Sequence, residues 1–179
     1  MVIVVMGVSG SGKTLVGEAL AVRLNWLFED ADNWHSTANV EKMHRGEALT
    51  DADREPWLQA LNRAIRKWIA DKRDVVLACS ALRERYRKEL LEGVSDRKAV
   101  HFIYLKGTYE EIDRRLRARA GHFMPESLLK SQFAALEEPG SCEALVIAVS
   151  QSVDSIVNLI VTDLSLSPSA KSSTPTESR

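Results

Sequence analysis

The sequence predicts an α/β fold built on a parallel β-sheet with helices on both faces. Short apolar, β-branched runs recur along the chain, too continuous for half-exposed strands and too short for helices. Most are followed by a longer stretch whose apolar residues fall at helical spacing. The first run also ends in a glycine-rich loop that leads straight into such a stretch. Right-handed crossovers between successive parallel strands then distribute the helices over both faces.

The elements follow in order. Val2 to Met6 reads as a buried strand ending at Gly7, and Lys13 to Leu24 as a helix with Leu15, Val16, Ala19, Leu20, Val22 and Leu24 at helical spacing. Trp26 to Glu29 is a second short strand, ending at Asp30. Asp51 to Ala70 is a helix with Trp57, Leu58, Leu61, Ile65, Trp68 and Ile69 on one side, and Asp51 is its expected N-cap. Val75 to Cys79 is a third strand, and Arg83 to Glu92 a charged helix stopped by Gly93. His101 to Leu105 is a fourth strand. Tyr109 to Ala120 and Pro125 to Leu136 are helical, with Gly121 to Pro125 breaking the helix as a lid loop. Ala144 to Val149 is the fifth strand and Val153 to Leu164 the last helix.

With 179 residues, the chain suits one domain that buries roughly 70% of its unfolded surface without help from disulfide or metal. The expected organisation is a single domain over 1–165, with a lid at about 117–136. A tail over 166–179 has no core-forming residues and is expected to be disordered. Basic and acidic residues number 24 and 25, a balance that points to neither nucleic acid nor membrane. No apolar run approaches the ~20 residues of a membrane helix. The only cysteines, Cys79 and Cys142, form no CxxC pair, which fits two free thiols in a reducing cytoplasm.

Chemistry enters at Gly7-Val8-Ser9-Gly10-Ser11-Gly12-Lys13-Thr14, a complete G-x-x-x-x-G-K-[ST] loop between strand and helix. Its glycines permit backbone angles that turn consecutive N–H groups toward phosphate oxygens. Lys13 is expected to reach the β- and γ-phosphates of ATP, and Thr14 to ligate Mg²⁺. The third strand ends without a Walker-B aspartate and no guanine-reading NKxD run occurs, which disfavours GTPases and large ATPases. A small kinase fits the length.

In an open parallel sheet, a second substrate binds beyond the carboxyl ends of the strands. Asp30 and Asp32 lie there at alternate positions. One could hold Mg²⁺ through water and the other take a proton from an attacking hydroxyl. His35, Lys42, Asp51 and Arg54 follow, and each is also consistent with a solvated surface. Trp34 and Trp57 suit either packing or the wall of a sugar-sized pocket. Arg114, Arg115, Arg117 and Arg119 crowd the approach to the lid, where cations would neutralise developing charge.

The runs MGVSGSGKT, DADNWHSTANVEKMHRGEALTDADREPWLQAL, CSALRERYRKELLEG, FIYLKG and ARAGHFMPESLLKSQFAALEEP resemble bacterial gluconate kinases, from Val2 to about Val149. The resemblance implies a nucleoside-monophosphate-kinase-like P-loop fold with strand order 2-3-1-4-5. It implies transfer of the ATP γ-phosphate to the C6 hydroxyl of D-gluconate, with Mg²⁺, in a homodimer. Carried onto this chain, it implies a nucleotide site at Gly7, Ser9, Gly10, Ser11, Gly12, Lys13, Thr14, Arg115 and Arg119. The gluconate site would comprise Asp32, His35, Lys42, Asp51, Arg54, Ser80, Arg83, Arg87, His122 and Gln132. Lys13, Asp32 and Arg119 would be catalytic. Arg54, Arg83 and Arg87 are alternative partners for the substrate carboxylate. Shikimate kinase shares the D-x-D and a carboxylate substrate, but the GHFMP lid and the EKMHRGEALTDADREPW run argue against it. After the last strand this chain reads Val149-Ser150-Gln151-Ser152, where the family often has an acidic residue and proline.

Overall fold

Five parallel strands form one sheet in the order β2-β3-β1-β4-β5. The structure is a computed structural model that describes residues 1–118 and 126–168. Strand β1 is Val2–Met6, β2 Leu27–Asp30, β3 Val75–Ala78, β4 Val100–Lys106 and β5 Ala144–Ala148. The helices are α1 (Lys13–Leu24), α2 (Thr37–His44), α3 (Asp51–Ala70), α4 (Glu84–Leu90), α5 (Tyr109–Ala118), α6 (Glu126–Ala135) and α7 (Val153–Asp163). Short 3₁₀ turns occupy Ala31–Trp34 and Arg97–Ala99. The expected lid loop, Arg119 and His122 included, and the expected tail from residue 169 lie outside the described residues.

Alternation along each strand divides the core in two. Val2, Val4, Met6, Val75, Leu77, Phe102 and Tyr104 face Trp57, Leu58, Leu61, Ile65 and Trp68 of α3 and Tyr86 and Leu90 of α4. Ile3, Val5, Val76, Ile103 and Leu105 face Val16, Leu20 and Leu24 of α1 and Ile156, Val157 and Ile160 of α7. Helices therefore cover both faces. Strand β1 is fully buried in the centre because all five of its side chains are apolar.

Several boundaries differ from expectation. Strand β2 begins at Leu27 rather than Trp26 and, as expected, ends at Asp30, which is in register with Ala78, so this carboxylate sits at the sheet's carboxyl edge. The N-cap of α3 is Thr50 rather than Asp51. Its hydroxyl accepts from Asp53 N–H, and the Asp53 carboxylate accepts from Thr50 N–H, a reciprocal pair. Asp51 is the first helical residue. Arg83 caps α4 instead of opening it, and α4 stops at Leu90, before Gly93. Helix α2 was not expected; Ser36 starts it by accepting from Asn39 N–H.

Candidate active site

The loop from Gly7 to Gly12 has the backbone its glycines require. Gly10 and Gly12 take φ values of 81° and 99°, where side chains are strained. At Gly10 the space is also closed, since a Cβ would lie 2.7 Å from Leu116 Cγ. Helix α1 begins at Lys13 with no side chain capping its N–H groups, which leaves its positive end turned to the loop. The Ser11 hydroxyl is buried in this loop with no hydrogen-bond partner among the described residues. Lys13 Nζ folds back to donate to Val8 O at 3.2 Å. The loop has the chemistry of a phosphate cradle.

The two carboxylates after β2 occupy different places. Asp30 Oδ2 accepts from the Thr14 hydroxyl at 3.1 Å, and Asp30 Oδ1 accepts from Asp32 N–H at 3.0 Å. Asp30 thus stands beside the start of α1. Asp32 instead lines a cleft of about 190 Å³ with Ser9, Lys13, His35, Arg54, Ser80 and Gln132. A hydroxyl and a carboxylate in contact are hard oxygen donors of the kind Mg²⁺ takes, directly or through water. The donor pair Thr14 and Asp30 fits that ion.

The far wall of the cleft is aromatic and basic. His35 stacks on Trp57 with ring centroids 4.4 Å apart, and Trp57 Nε1–H is fixed by Ala31 O at 2.7 Å. Burial holds the His35 imidazole below its usual pKa, opposed by Asp32 and reinforced by Arg54. Arg54 is anchored through Nη1 on the carbonyls of Leu49 and Thr50. From the opposite side Gln132 of α6 reaches the phosphate loop, its Oε1 accepting from Ser9 N–H at 2.6 Å. Arg115 donates to Val149 O, the residue following β5. Cys79, just after β3, is buried, and burial pushes its thiol up to about 12, which disfavours the thiolate.

The structure therefore gathers Ser9, Lys13, Asp32, His35, Arg54, Ser80 and Gln132 into one cleft. It does not bring all the expected acceptor residues there. Lys42 is ion-paired with Asp53 at 2.7 Å, behind the start of α3. Asp51 accepts from Arg83, Arg85 and the Tyr86 hydroxyl. Arg83, Arg85 and Arg54 crowd the Tyr86 ring, each guanidinium within 6 Å of its centroid. Arg87 is a correction: its side chain is 2% exposed and fully engaged by protein groups, so no substrate carboxylate can reach it. Met43, Glu47, Ala48, Leu49, Leu128 and Ser131 also line the cleft and were not anticipated. Trp57 is a cleft wall, whereas Trp34 packs edge-on against Trp68.

Comparison with known proteins agrees with this geometry. A family model described as an AAA domain matches residues 2–139. The chain is 46% identical over 144 residues to a gluconokinase of Gluconobacter oxydans, covering 80% of this chain and 79% of that protein. It is 44% identical over 156 residues to the thermoresistant gluconokinase of Escherichia coli, covering 86% and 87%. The crystal structure of a gluconokinase from Sinorhizobium meliloti superposes with a TM-score of 0.81 at 40% identity, covering 91% of this chain and 90% of that one. A cradle, a hydroxyl–carboxylate pair and an acceptor cleft at the ends of a 2-3-1-4-5 sheet, joined to this degree of likeness, settle the lineage: the chain belongs to the gluconokinase family of P-loop kinases.

Proposed function

We propose that this chain is a gluconokinase, which transfers the γ-phosphate of ATP to the C6 hydroxyl of D-gluconate and releases ADP and 6-phospho-D-gluconate. The observation that carries the reading is the shared cleft. Lys13 and Ser9 of the phosphate loop line the same space as Asp32 and Arg54, so a phosphoryl group and a polar acceptor meet there.

In this reading Asp32 orients the acceptor hydroxyl and takes its proton. The C6 oxygen bonds to the γ-phosphorus as the bond to the β–γ bridging oxygen breaks, and ADP leaves. Lys13 and the N–H groups at the start of α1 stabilise the charge spread over the phosphoryl oxygens. Thr14 and Asp30 would hold Mg²⁺, which when bound draws charge from the phosphates. Arg54 pairs with the substrate carboxylate, because it is the arginine on the cleft wall and a guanidinium fork matches a carboxylate. Arg83 stands at the edge of that subsite with Asp51. The His35–Trp57 stack gives the carbon chain of the sugar acid a flat face. Gln132 carries the state of α6 to the phosphate loop, and α6 with the preceding loop acts as a lid that excludes water. Arg115 faces the nucleotide side, and Arg119 and His122 complete the lid through the family resemblance. The same resemblance supports a homodimer, and the two free thiols Cys79 and Cys142 support a reducing cytoplasm as its place; no helix among the described residues is long and apolar enough to cross a membrane.

The test is ADP release from Mg²⁺-ATP with D-gluconate, shikimate, glucose or no acceptor. A strong rise with gluconate alone is the expected result. Equal, slow hydrolysis under all four conditions would remove the reading.

A further inference from the structure

Arg87 is the one arginine or lysine that is buried among the described residues. A buried guanidinium is costly unless every N–H has an acceptor. Here Nε and Nη2 form a two-pronged pair with the Glu143 carboxylate. Nη1 donates to three carbonyls: Ala81 at 3.2 Å, Leu82 at 3.3 Å and Glu137 at 3.0 Å. These acceptors come from two segments that the chain order does not otherwise join.

The first segment is the turn that leaves β3. It carries Ser80 into the cleft, and Ser80 O accepts from the N–H of Gly7, the first glycine of the phosphate loop. Ala81 takes φ of 43°, a left-handed conformation that strains a side chain. Such a turn persists only where its surroundings over-determine it. The second segment leaves α6, the helix that brings Leu128, Ser131 and Gln132 to the cleft. Glu137 binds the first segment twice more: its N–H donates to Leu82 O at 2.9 Å and its carboxylate accepts from Glu84 N–H at 2.7 Å.

We propose that Arg87 is a positioning residue for phosphoryl transfer, which fixes the acceptor turn after β3 against the base of α6 and so sets the width of the cleft. It touches neither substrate. It acts through Ser80 on one wall and Gln132 on the other, and this inference rests on the gluconokinase reading of the cleft. A lysine keeps the charge but cannot reach a carboxylate and three carbonyls at once. The cleft should then lose its register while the protein still folds.

The experiment measures kcat and KM for both substrates, with thermal midpoints, in the wild type, Arg87→Lys and Glu143→Gln. Expected for Arg87→Lys is a gluconate KM raised about tenfold and a kcat lowered by a similar factor, a size typical of displaced reacting groups. The ratio of ATP hydrolysis to gluconate phosphorylation should rise, since a mis-set α6 admits water. Glu143→Gln, which keeps the shape and one acceptor oxygen but replaces the other with an NH2 that cannot accept from Arg87, should move the same parameters in the same direction by less. A lowered thermal midpoint with unchanged kcat, KM and hydrolysis ratio in both variants would make Arg87 a structural anchor only and overturn the proposal. If Arg87→Lys does not fold, Glu143→Gln decides by the same criteria. A wild type silent toward gluconate would overturn the functional reading, and this proposal with it.

Discussion

His35 lies flat on Trp57, with planes only 13° from parallel, and its Nδ1 is buried with no hydrogen-bond partner among the described residues. A neutral imidazole fits that setting, because a second N–H would have no acceptor. Burial lowers its pKa from the ordinary 6.5. The unfolded chain therefore binds the His35 proton more tightly than the folded one. Stability from this group is complete above pH 6.5 and is lost as pH falls from there through the folded value. We expect the thermal midpoint of the wild type to decline below about pH 6.5, and His35→Asn to flatten that decline. The carboxylates with lowered pKa, Asp51, Asp53, Glu47 and Glu84, titrate below this window and do not blur it. An identical slope in both proteins between pH 7 and 5.5 would place the titrating group elsewhere.

Gly10→Ala tests the phosphate loop without touching charge. Its φ of 81° strains any side chain, and the new methyl would strike Leu116 at 2.7 Å. Either the loop shifts or α5 does. The expected loss is about 2 kcal/mol of stability, from strain and overpacking together, with ADP affinity reduced at least tenfold. Gly12 offers a control, since no atom lies within 4 Å of its would-be methyl and only the φ penalty remains. Equal damage at both positions would assign the effect to backbone angle alone.

Asp30 and Asp32 should separate by metal dependence. Asp30 contacts Thr14, so Asp30→Asn is expected to raise the Mg²⁺ concentration needed for half-maximal rate. Asp32 faces the cleft, so Asp32→Asn is expected to cut kcat by about 10²- to 10⁴-fold with that requirement unchanged. The opposite pattern in a Mg²⁺ titration would exchange the two roles.

The difference between these two residues was not legible from D-x-D alone. Spacing puts both carboxylates near a strand end, but only the register of β2 with β3 decides which one turns to α1. The core was far more legible. Val2 to Met6 or Val75 to Ala78 has no polar residue to contradict burial, and the phosphate loop declares itself by its glycines. Helix α2 escaped notice because Val40 and Met43 are too few to set a period, and tertiary contacts and the Ser36 cap form it. The cleft wall at Met43, Glu47, Ala48 and Leu49 was hidden for the same reason. Arg87 was misread because a sequence cannot tell an arginine turned inward from one turned to a ligand. Its acceptor Glu143 is 56 residues away.

Arg54 is the remaining choice to be tested. Its Nη1 corner is held on the carbonyls of Leu49 and Thr50, which aims the planar group from the start of α3 at the cleft. Arg83, by contrast, is committed to Asp51 by two hydrogen bonds of 3.0 and 3.3 Å. If Arg54 pairs with the carboxylate of gluconate, that contact exists before and during transfer alike, so it contributes to KM more than to kcat. Arg54→Lys is then expected to raise the gluconate KM about tenfold, with kcat changed less than about threefold, because an ammonium cannot form the paired bonds. Arg83→Lys should move KM by less than about threefold. Sorbitol, which has the same carbon chain without the carboxylate, supplies the internal check. As an acceptor it should be poor with the wild type and no poorer with Arg54→Lys. A loss of sorbitol phosphorylation equal to the loss with gluconate would mean that Arg54 shapes the cleft without reading the carboxylate.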